Sequence, residues 1–304
     1  MFMLQLIVAG LAVGSVYGLI ALGIVLIYKC SGVVNFAQGG YAMLGAFFTY
    51  ALSTAGLPSA AALVVSILLM GLVGALTQTL ILRPMLKAPV VAVMMATLGI
   101  LIIFRAICLL IWGPDQIGFP QLFPAGSIEI GGIFMTYNYV AAFFLAAMLC
   151  GAFLAFYRYT PLGLMQRCTA DNTRAALAVG IHVSNQVTIA WTASAMLAGL
   201  GGSLLASLNG LSLGLSNIGL VAFPVIVLGG MTSLPGAVVA GLILGVLQAV
   251  TDGLLTPAIE RVLREYTEIY SVGALQQVIP YALLVAVLLV RPQGIFGSKD
   301  SERV

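Results

Sequence analysis

The chain has 304 residues, of which 62% are apolar and 7% charged; 12 Lys and Arg against 9 Asp and Glu leave a net charge of +3. Soluble domains carry about 25% charged residues, so an ordinary globular enzyme is excluded. The basic excess is too small and too scattered for nucleic acid, and no Gly-X-Y period accompanies the glycines, which leaves a helical membrane protein.

Stretches without an ionised side chain cover residues 1–28, 30–82, 88–104, 130–157, 175–251 (which holds only His182) and 269–290. A bilayer-crossing helix needs ~20 such residues. Glycine and proline interrupt the long stretches at Gly56-Leu57-Pro58, Asn209-Gly210 and Ser233-Leu234-Pro235-Gly236. The expected spans are therefore 4–28, 34–52, 59–82, 89–112, 136–157, 187–208, 213–230, 236–252 and 270–290. This is a single all-α, polytopic domain over 1–304 with about nine spans, or eight or ten if 213–230 is re-entrant or broken. The first span lacks the basic leader and cleavage site of a signal peptide. Its Gly10, Gly14 and Gly18 fall on one helix face, where a second helix can approach closely.

Basic residues set the orientation. Lys29, Arg83, Lys87, Arg158, Arg167, Arg174, Arg291, Lys299 and Arg303 fall on one side, and Arg105, Arg261 and Arg264 on the other. The positive-inside rule then puts the N-terminus outside and the C-terminus in the cytoplasm.

The largest inward loop, 158–183, opens with Thr160-Pro161, where proline ends the preceding helix. Asp171 or Asn172 is a suitable N-cap for a short helix over 173–179, comprising Thr173, Arg174, Ala175, Ala176, Leu177, Ala178 and Val179, and Gly180 is placed to stop it. Two turns are unstable alone, so the helix rests on headgroups or fits a partner's cleft. Residues 253–268 read as an external amphipathic segment, with Thr256 as N-cap, Pro257 at the first helical position, and opposite charges at Glu260–Arg264, Arg261–Glu265 and Arg264–Glu268.

The chain has no phosphate-cradling G-x-x-x-x-G-K-[ST] loop and no H-E-x-x-H, and its one histidine makes a histidine metal site improbable. Cys30, Cys108, Cys150 and Cys168 are scattered free thiols. Gly210-Leu211-Ser212-Leu213-Gly214 matches the hydrolase G-x-S-x-G pattern. It joins two spans on the outer side and has no Asp and His to converge on it, so no catalytic serine is expected. Neither an enzyme nor a cofactor is indicated.

Five stretches, in order, resemble the permease subunits of ABC importers for branched-chain amino acids. They are 14–23 (beginning Gly14-Ser15-Val16-Tyr17-Gly18) with 32–39 and 43–46; Arg83-Pro84 with Ala96-Thr97-Leu98-Gly99; Thr160-Pro161-Leu162-Gly163; 175–181; and 228–237, which holds Gly229-Gly230 and Leu234-Pro235-Gly236. The resemblance implies a bacterial inner-membrane assembly. Its parts are a second permease subunit, usually a paralogue, two cytoplasmic ATPase subunits and an extracytoplasmic substrate-binding protein that carries most of the specificity. It also implies that residues 171–180 couple the ATPases to the membrane helices. Where the family commonly has a histidine and often a glutamate after Asn-Phe-Ala, this chain has Gln38 and Gly40, so a proton-linked role there is not expected.

A zwitterion crossing lipid needs polar contacts along a wet seam. The candidates for lining that path are Ser15, Tyr17, Asn35, Gln38 and Thr97. Arg105 lies well inside a span, either on the path or a subunit interface, or snorkelling to the outer surface two turns away near Trp112. Pro224 inside 213–230 predicts a kink or break. Related importers of urea, amides or pentose sugars share the architecture. A secondary transporter or channel is the more distant alternative, because the spans lack the paired ionisable groups that ion coupling requires.

Overall fold

The computed structural model describes residues 2–85, 88–124, 126–130, 133–266, 275–291 and 293–297. The fold is a helical bundle of α1 (Phe2–Ser31), α2 (Gln38–Thr54), α3 (Ser59–Leu76), α4 (Val90–Trp112), α5 (Tyr137–Tyr159), α6 (Pro161–Asp171), α7 (Thr173–Ala178), α8 (Val183–Asn209), α9 (Ile218–Gly229), α10 (Leu234–Val250), α11 (Thr256–Tyr266) and α12 (Leu275–Val290). Among the described residues the one sheet is an antiparallel hairpin, β1 (Ser127–Ile130) with β2 (Ile133–Thr136), which pairs Ser127 with Thr136. It sits between α4 and α5, on the side where α4 ends.

Among the described residues six helical stretches are long and apolar enough to cross a membrane: Phe2–Ser31, Ser59–Met85, Val90–Trp112, Tyr137–Tyr159, Val183–Asn209 and Leu234–Arg261. The other three expected spans hold the shorter helices α2, α9 and α12. α9 follows a 3₁₀ stretch, Leu213–Asn217. A helix that is apolar all round belongs inside a bundle or in lipid, and both cases occur here. In α1, 83% of the most apolar stretch is buried and in α8, 72%, against 17% in each of α4 and α5. The outer helices turn large side chains away from the protein. On the α3 stretch these are Val64, Leu68, Leu72, Leu76 and Leu80, one helix turn apart.

Backbone proximity holds the inner helices together. Gly10, Gly14 and Gly18 of α1 lie against Gly241, Gly245 and Val238 of α10, so close that a Cβ on Gly14 would stand 2.7 Å from the Gly241 carbonyl oxygen. Gly45 of α2 meets Gly199 of α8, and Gly202 of α8 meets the Ala42 carbonyl in the same way. Small residues at such crossings let dispersion act between backbones, the attraction still available where both sides are apolar.

Three local features differ from the expectation. The segment 158–183 is not a loop with one short helix, because α6 precedes α7. Thr160 is the N-cap of α6, its Oγ1 accepting from Gly163 N at 3.1 Å, and Pro161 occupies the first turn. Thr256-Pro257 does open α11, but no free N-cap precedes it: a π-helical turn, Thr251–Leu255, carries α10 straight into α11. A wider turn just ahead of a proline makes room for its ring, so the helix continues where a stop was expected. The side chains of the 260–268 charge pairs lie partly outside the described residues. Finally, the helix is not broken at Pro224: α9 runs through it, and the irregularity is the 3₁₀ stretch Leu213–Asn217 immediately before α9, about two turns ahead of the proline. Proline leaves the Leu220 carbonyl without its helical donor, and the Tyr281 hydroxyl of α12 donates to it at 3.1 Å.

Gly14→Val would force a branched side chain into the α1–α10 seam and is expected to cost about 1–3 kcal/mol or more. Gly151→Ala, where a Cβ meets nothing within 4 Å, should be neutral or stabilise by up to about 1 kcal/mol. Thermal unfolding followed by fluorescence-detected size exclusion compares the two; equal melting temperatures would contradict the seam.

Candidate transport and coupling sites

Between α1 and α2 the chain leaves the helix and re-enters it at Gln38. Backbone that unwinds inside an apolar bundle must find new partners, and here side chains supply them. Asn35 Oδ1 accepts from Ala37 N at 3.0 Å, and Thr97 Oγ1 of α4 accepts from Phe36 N at 3.2 Å. Asn35 Nδ2 donates to Gln38 Oε1 at 3.0 Å, as does Ser194 Oγ of α8 at 3.0 Å. Gln38 Nε2 donates to the carbonyls of Ile20 (3.2 Å) and Ser194 (3.3 Å). Asn35, Gln38, Thr97 and Ser194 are all buried, so this is a closed polar knot tying α1, α2, α4 and α8. It uses both the donor and the acceptor face of one amide. A carboxylate in its place has no hydrogen to give the two carbonyls, which explains on physical grounds why a neutral amide fits at position 38. Gly23 makes room for the knot: a Cβ there would stand 2.5 Å from Gln38 Nε2.

Of the other path candidates, Ser15 is buried and donates to the Ala12 carbonyl of its own helix at 2.7 Å. Tyr17 is half-buried on α1. Arg105 is exposed on α4, on the same face as Ile102 and Leu109. The structure thus brings Asn35, Gln38 and Thr97 together and leaves Ser15, Tyr17 and Arg105 apart. Ser194 completes the knot; its only sequence signal was a small polar residue inside a long apolar helix. A second cluster on α2, α3 and α8 was equally unmarked. In it, Thr49 and Ser203 hydroxyls lie 2.9 Å apart and Ser66 Oγ donates to the Gly45 carbonyl at 2.8 Å.

The coupling segment is geometrically well defined. Asn172 is the N-cap of α7, its Oδ1 accepting from Arg174 N and Ala175 N, both at 3.0 Å. Asp171 is the last residue of α6. At the far end Gly180 takes φ +87°, Ile181 N donates to the Ala176 carbonyl at 2.9 Å, and Gly180 N donates to that of Leu177 at 3.1 Å. This double bond pattern is the Schellman stop, which needs the left-handed residue that glycine supplies. Within α7 Ala176 is buried, while Thr173, Arg174, Ala175, Leu177 and the following Val179 are exposed. Leu177 and Val179 are 58% and 75% exposed, so this end of the short helix offers an apolar surface.

The G-x-S-x-G stretch adopts no nucleophile elbow. Leu211 forms an isolated antiparallel bridge with Ile117, and Gln116 Nε2 donates to the Asn209 carbonyl at 2.9 Å. Among the described residues no group of three or more His, Cys, Asp or Glu is placed to hold a metal ion.

Residues 6–288 match the family described as branched-chain amino acid transport system / permease component. This chain belongs to that family. It is a multi-pass membrane permease subunit rather than an enzyme. It is 28% identical, over its full length and 98% of the relative's, to the high-affinity branched-chain amino acid transport system permease proteins LivH of Escherichia coli K12 and of Salmonella typhimurium. It is 29% identical to a probable permease LivH of Methanocaldococcus jannaschii over 92% of this chain and 88% of that one. No solved structure matches.

Gln38→Leu leaves Asn35 Nδ2 and the Ser194 hydroxyl without their acceptor and takes the second donor from the helical carbonyls of Ile20 and Ser194. Each buried group so stranded costs about 1–3 kcal/mol. A large drop in melting temperature is therefore expected, while Thr54→Ala, an exposed hydroxyl bonded to its own helix, should stay within about 0.5 kcal/mol. Matching melting curves for the two variants would mean that the knot contributes little.

Proposed function

We propose that this permease forms the translocation path of an ATP-driven importer for branched-chain or other small amino acids in a bacterial cytoplasmic membrane, with about nine spans, the N-terminus outside and the C-terminus inside. The observation that carries the reading is the match to one permease family over 6–288. The capped and exposed α7 supports it, because Leu177 and Val179 offer an apolar surface on which a partner can dock. The orientation is supported by the grouping of Lys29, Arg158 and Arg167 around one cleft, with the bridge between 117 and 211 joining segments of the other side. We assign a paralogous second permease, two ATPases beneath α7 and an extracytoplasmic binding protein as partners.

In this reading Asp171, Asn172, Thr173, Arg174, Ala175, Ala176, Leu177, Val179 and Gly180 receive the ATPase. Asn35, Gln38, Thr97 and Ser15 build the firm wall behind the path, and Tyr17 stands nearer to it. Arg105 serves the subunit seam or the outer headgroup level, since a bare cation is costly in hydrocarbon. α7 moves with its neighbours: Asn172 alone separates it from α6, Thr160 alone separates α6 from α5, and the Schellman turn leads directly into α8. ATPase closure against α7 therefore pulls on an outer helix, α5, and on an inner one, α8.

Leu177→Asp leaves the bundle untouched, because Leu177 is exposed, but puts a carboxylate into the partner's apolar pocket. The expected outcome is loss of ATPase co-purification, about tenfold or more, with normal insertion and melting temperature. A full ATPase complement on the variant would reject α7 as the docking element. In proteoliposomes, leucine uptake should require the second permease, the ATPases and ATP; full-rate uptake by the lone chain without nucleotide would favour a secondary transporter.

A further inference from the structure

One cleft borders the proposed docking segment, sharing Asp171 and Thr173 with it, but its cations have no role in transport or ATPase docking. It has a volume of about 1140 Å³ and opens at the inner ends of α1 and α5, walled by α6, the turn before α10 and the segment after α12. Lys29, Arg158 and Arg167 line it, against a single lining carboxylate, Asp171. None of the three cations is paired with a carboxylate among the described residues. Lys29 and Arg158 sit on aromatic rings instead, Lys29 Nζ 5.8 Å from the Tyr157 centroid and the Arg158 guanidinium 5.4 Å from that of Tyr159. Arg167 is held in place by donating from Nη2 to the Arg158 carbonyl at 2.9 Å, while its buried Nε and the buried Tyr157 hydroxyl have no partner. The N-terminus of α10, at Leu234, adds the positive end of a helix dipole to the same wall. Fixed cations with unfilled donors in one cleft call for an anion.

The surroundings indicate which anion. Beside the cations, Phe156, Tyr159, Leu162, Leu164 and Phe296 are exposed, the mixture of aromatic, apolar and basic groups that suits the depth where lipid headgroups meet chains. α7, with Leu177 and Val179, presents its apolar surface separately. We infer that the cleft formed by Lys29, Arg158 and Arg167 binds a phosphate-bearing anion, supplied by the headgroup of an anionic phospholipid in the adjacent leaflet. The phosphodiester sits among the three cations, and its acyl chains run out along Phe156 and Leu164. The site is independent of the substrate's identity. It pins the junction of α1, α5 and α6, so it holds the base from which α7 is displayed.

The test uses the assembled transporter, permeases with ATPases, in phosphatidylcholine nanodiscs supplied with a limiting amount of phosphatidylglycerol. Wild type is compared with Lys29→Gln/Arg158→Gln and with the charge-keeping pair Lys29→Arg/Arg158→Lys. Native mass spectrometry reads bound phosphatidylglycerol, and a parallel arm titrates inorganic phosphate. Wild type and the charge-keeping pair should retain phosphatidylglycerol through phosphate addition, and the glutamine pair should retain at least about tenfold less. Equal retention in all three overturns the proposal. Displacement by inorganic phosphate at millimolar concentration keeps the anion site but overturns the lipid as its source. Loss of the ATPases from the glutamine pair with lipid retention unchanged overturns it in favour of a protein contact. A size-exclusion profile and melting temperature unchanged from wild type establish that the glutamine pair is folded.

Discussion

The bundle depends on how closely other backbones can approach α1. In a bilayer apolar side chains gain nothing by leaving lipid for protein, so hydrophobicity cannot decide which helix is central. What remains is dispersion between closely packed surfaces, together with hydrogen bonds that have no water to compete with them. α1 provides for both. Its glycines let α10 come to backbone distance along three turns, and on its inner half Gly23 leaves space for the amide of Gln38. The two devices act at different heights of one helix, which is why α1 is buried on all sides over most of its length.

The unwound segment between α1 and α2 follows from the same constraint. A break in helical hydrogen bonding within lipid is tolerated only where protein groups replace the missing partners. Asn35, Gln38, Thr97 and Ser194 do so with neutral groups, and each bond reinforces its neighbours because the surroundings have low polarity. The result is a firm joint between four helices. A transporter that alternates between open and closed forms needs some interfaces that move and others that do not, and glycine seams and closed polar knots are costly to break part-way. The moving parts are then sought among the outer helices, whose contacts are fewer and whose apolar faces are exposed.

Much of this was legible in the chain. Gaps between charges marked the six long apolar helices, and the α7 cap, at Asp171 or Asn172, and its Gly180 stop were visible as residue types at the correct spacing. Burial was not legible from hydropathy: α1 and α4 have mean hydropathies of 2.3 and 2.5, yet one is the core and the other faces outward. Small residues carry that information, since α1 and α8 are rich in Gly and Ser whereas α4 holds Gly99 alone. α6 stayed hidden because Thr160-Pro161 reads equally as the end of one helix and the start of the next. The run through Thr256-Pro257 was hidden for the opposite reason. A π turn lets a helix accept proline, and no residue type announces a π turn. Which polar residues would meet in the knot could not be read either, since Ser194 lies far along the chain from Gln38 and the packing of α2 against α8 brings them together.

The position of α7 gives these elements a mechanical order. Residue 172 joins it to α6 and residue 160 joins α6 to α5, both through side-chain caps that fix the angle at each joint. A Cβ on Gly163 would collide with the Tyr157 carbonyl, so α6 lies flush against the end of α5 and cannot swing independently. Past Gly180 the chain enters α8, which carries Ser194 of the knot. If an ATPase presses on α7, as proposed, the force applied at the exposed Leu177 divides. One branch reaches α5, most of whose apolar stretch faces away from the bundle, and the other reaches α8, which the knot and the Gly45–Gly199 crossing resist. A push at one small helix becomes relative movement between an outer and an inner layer, and that is what opening a passage through the bundle requires.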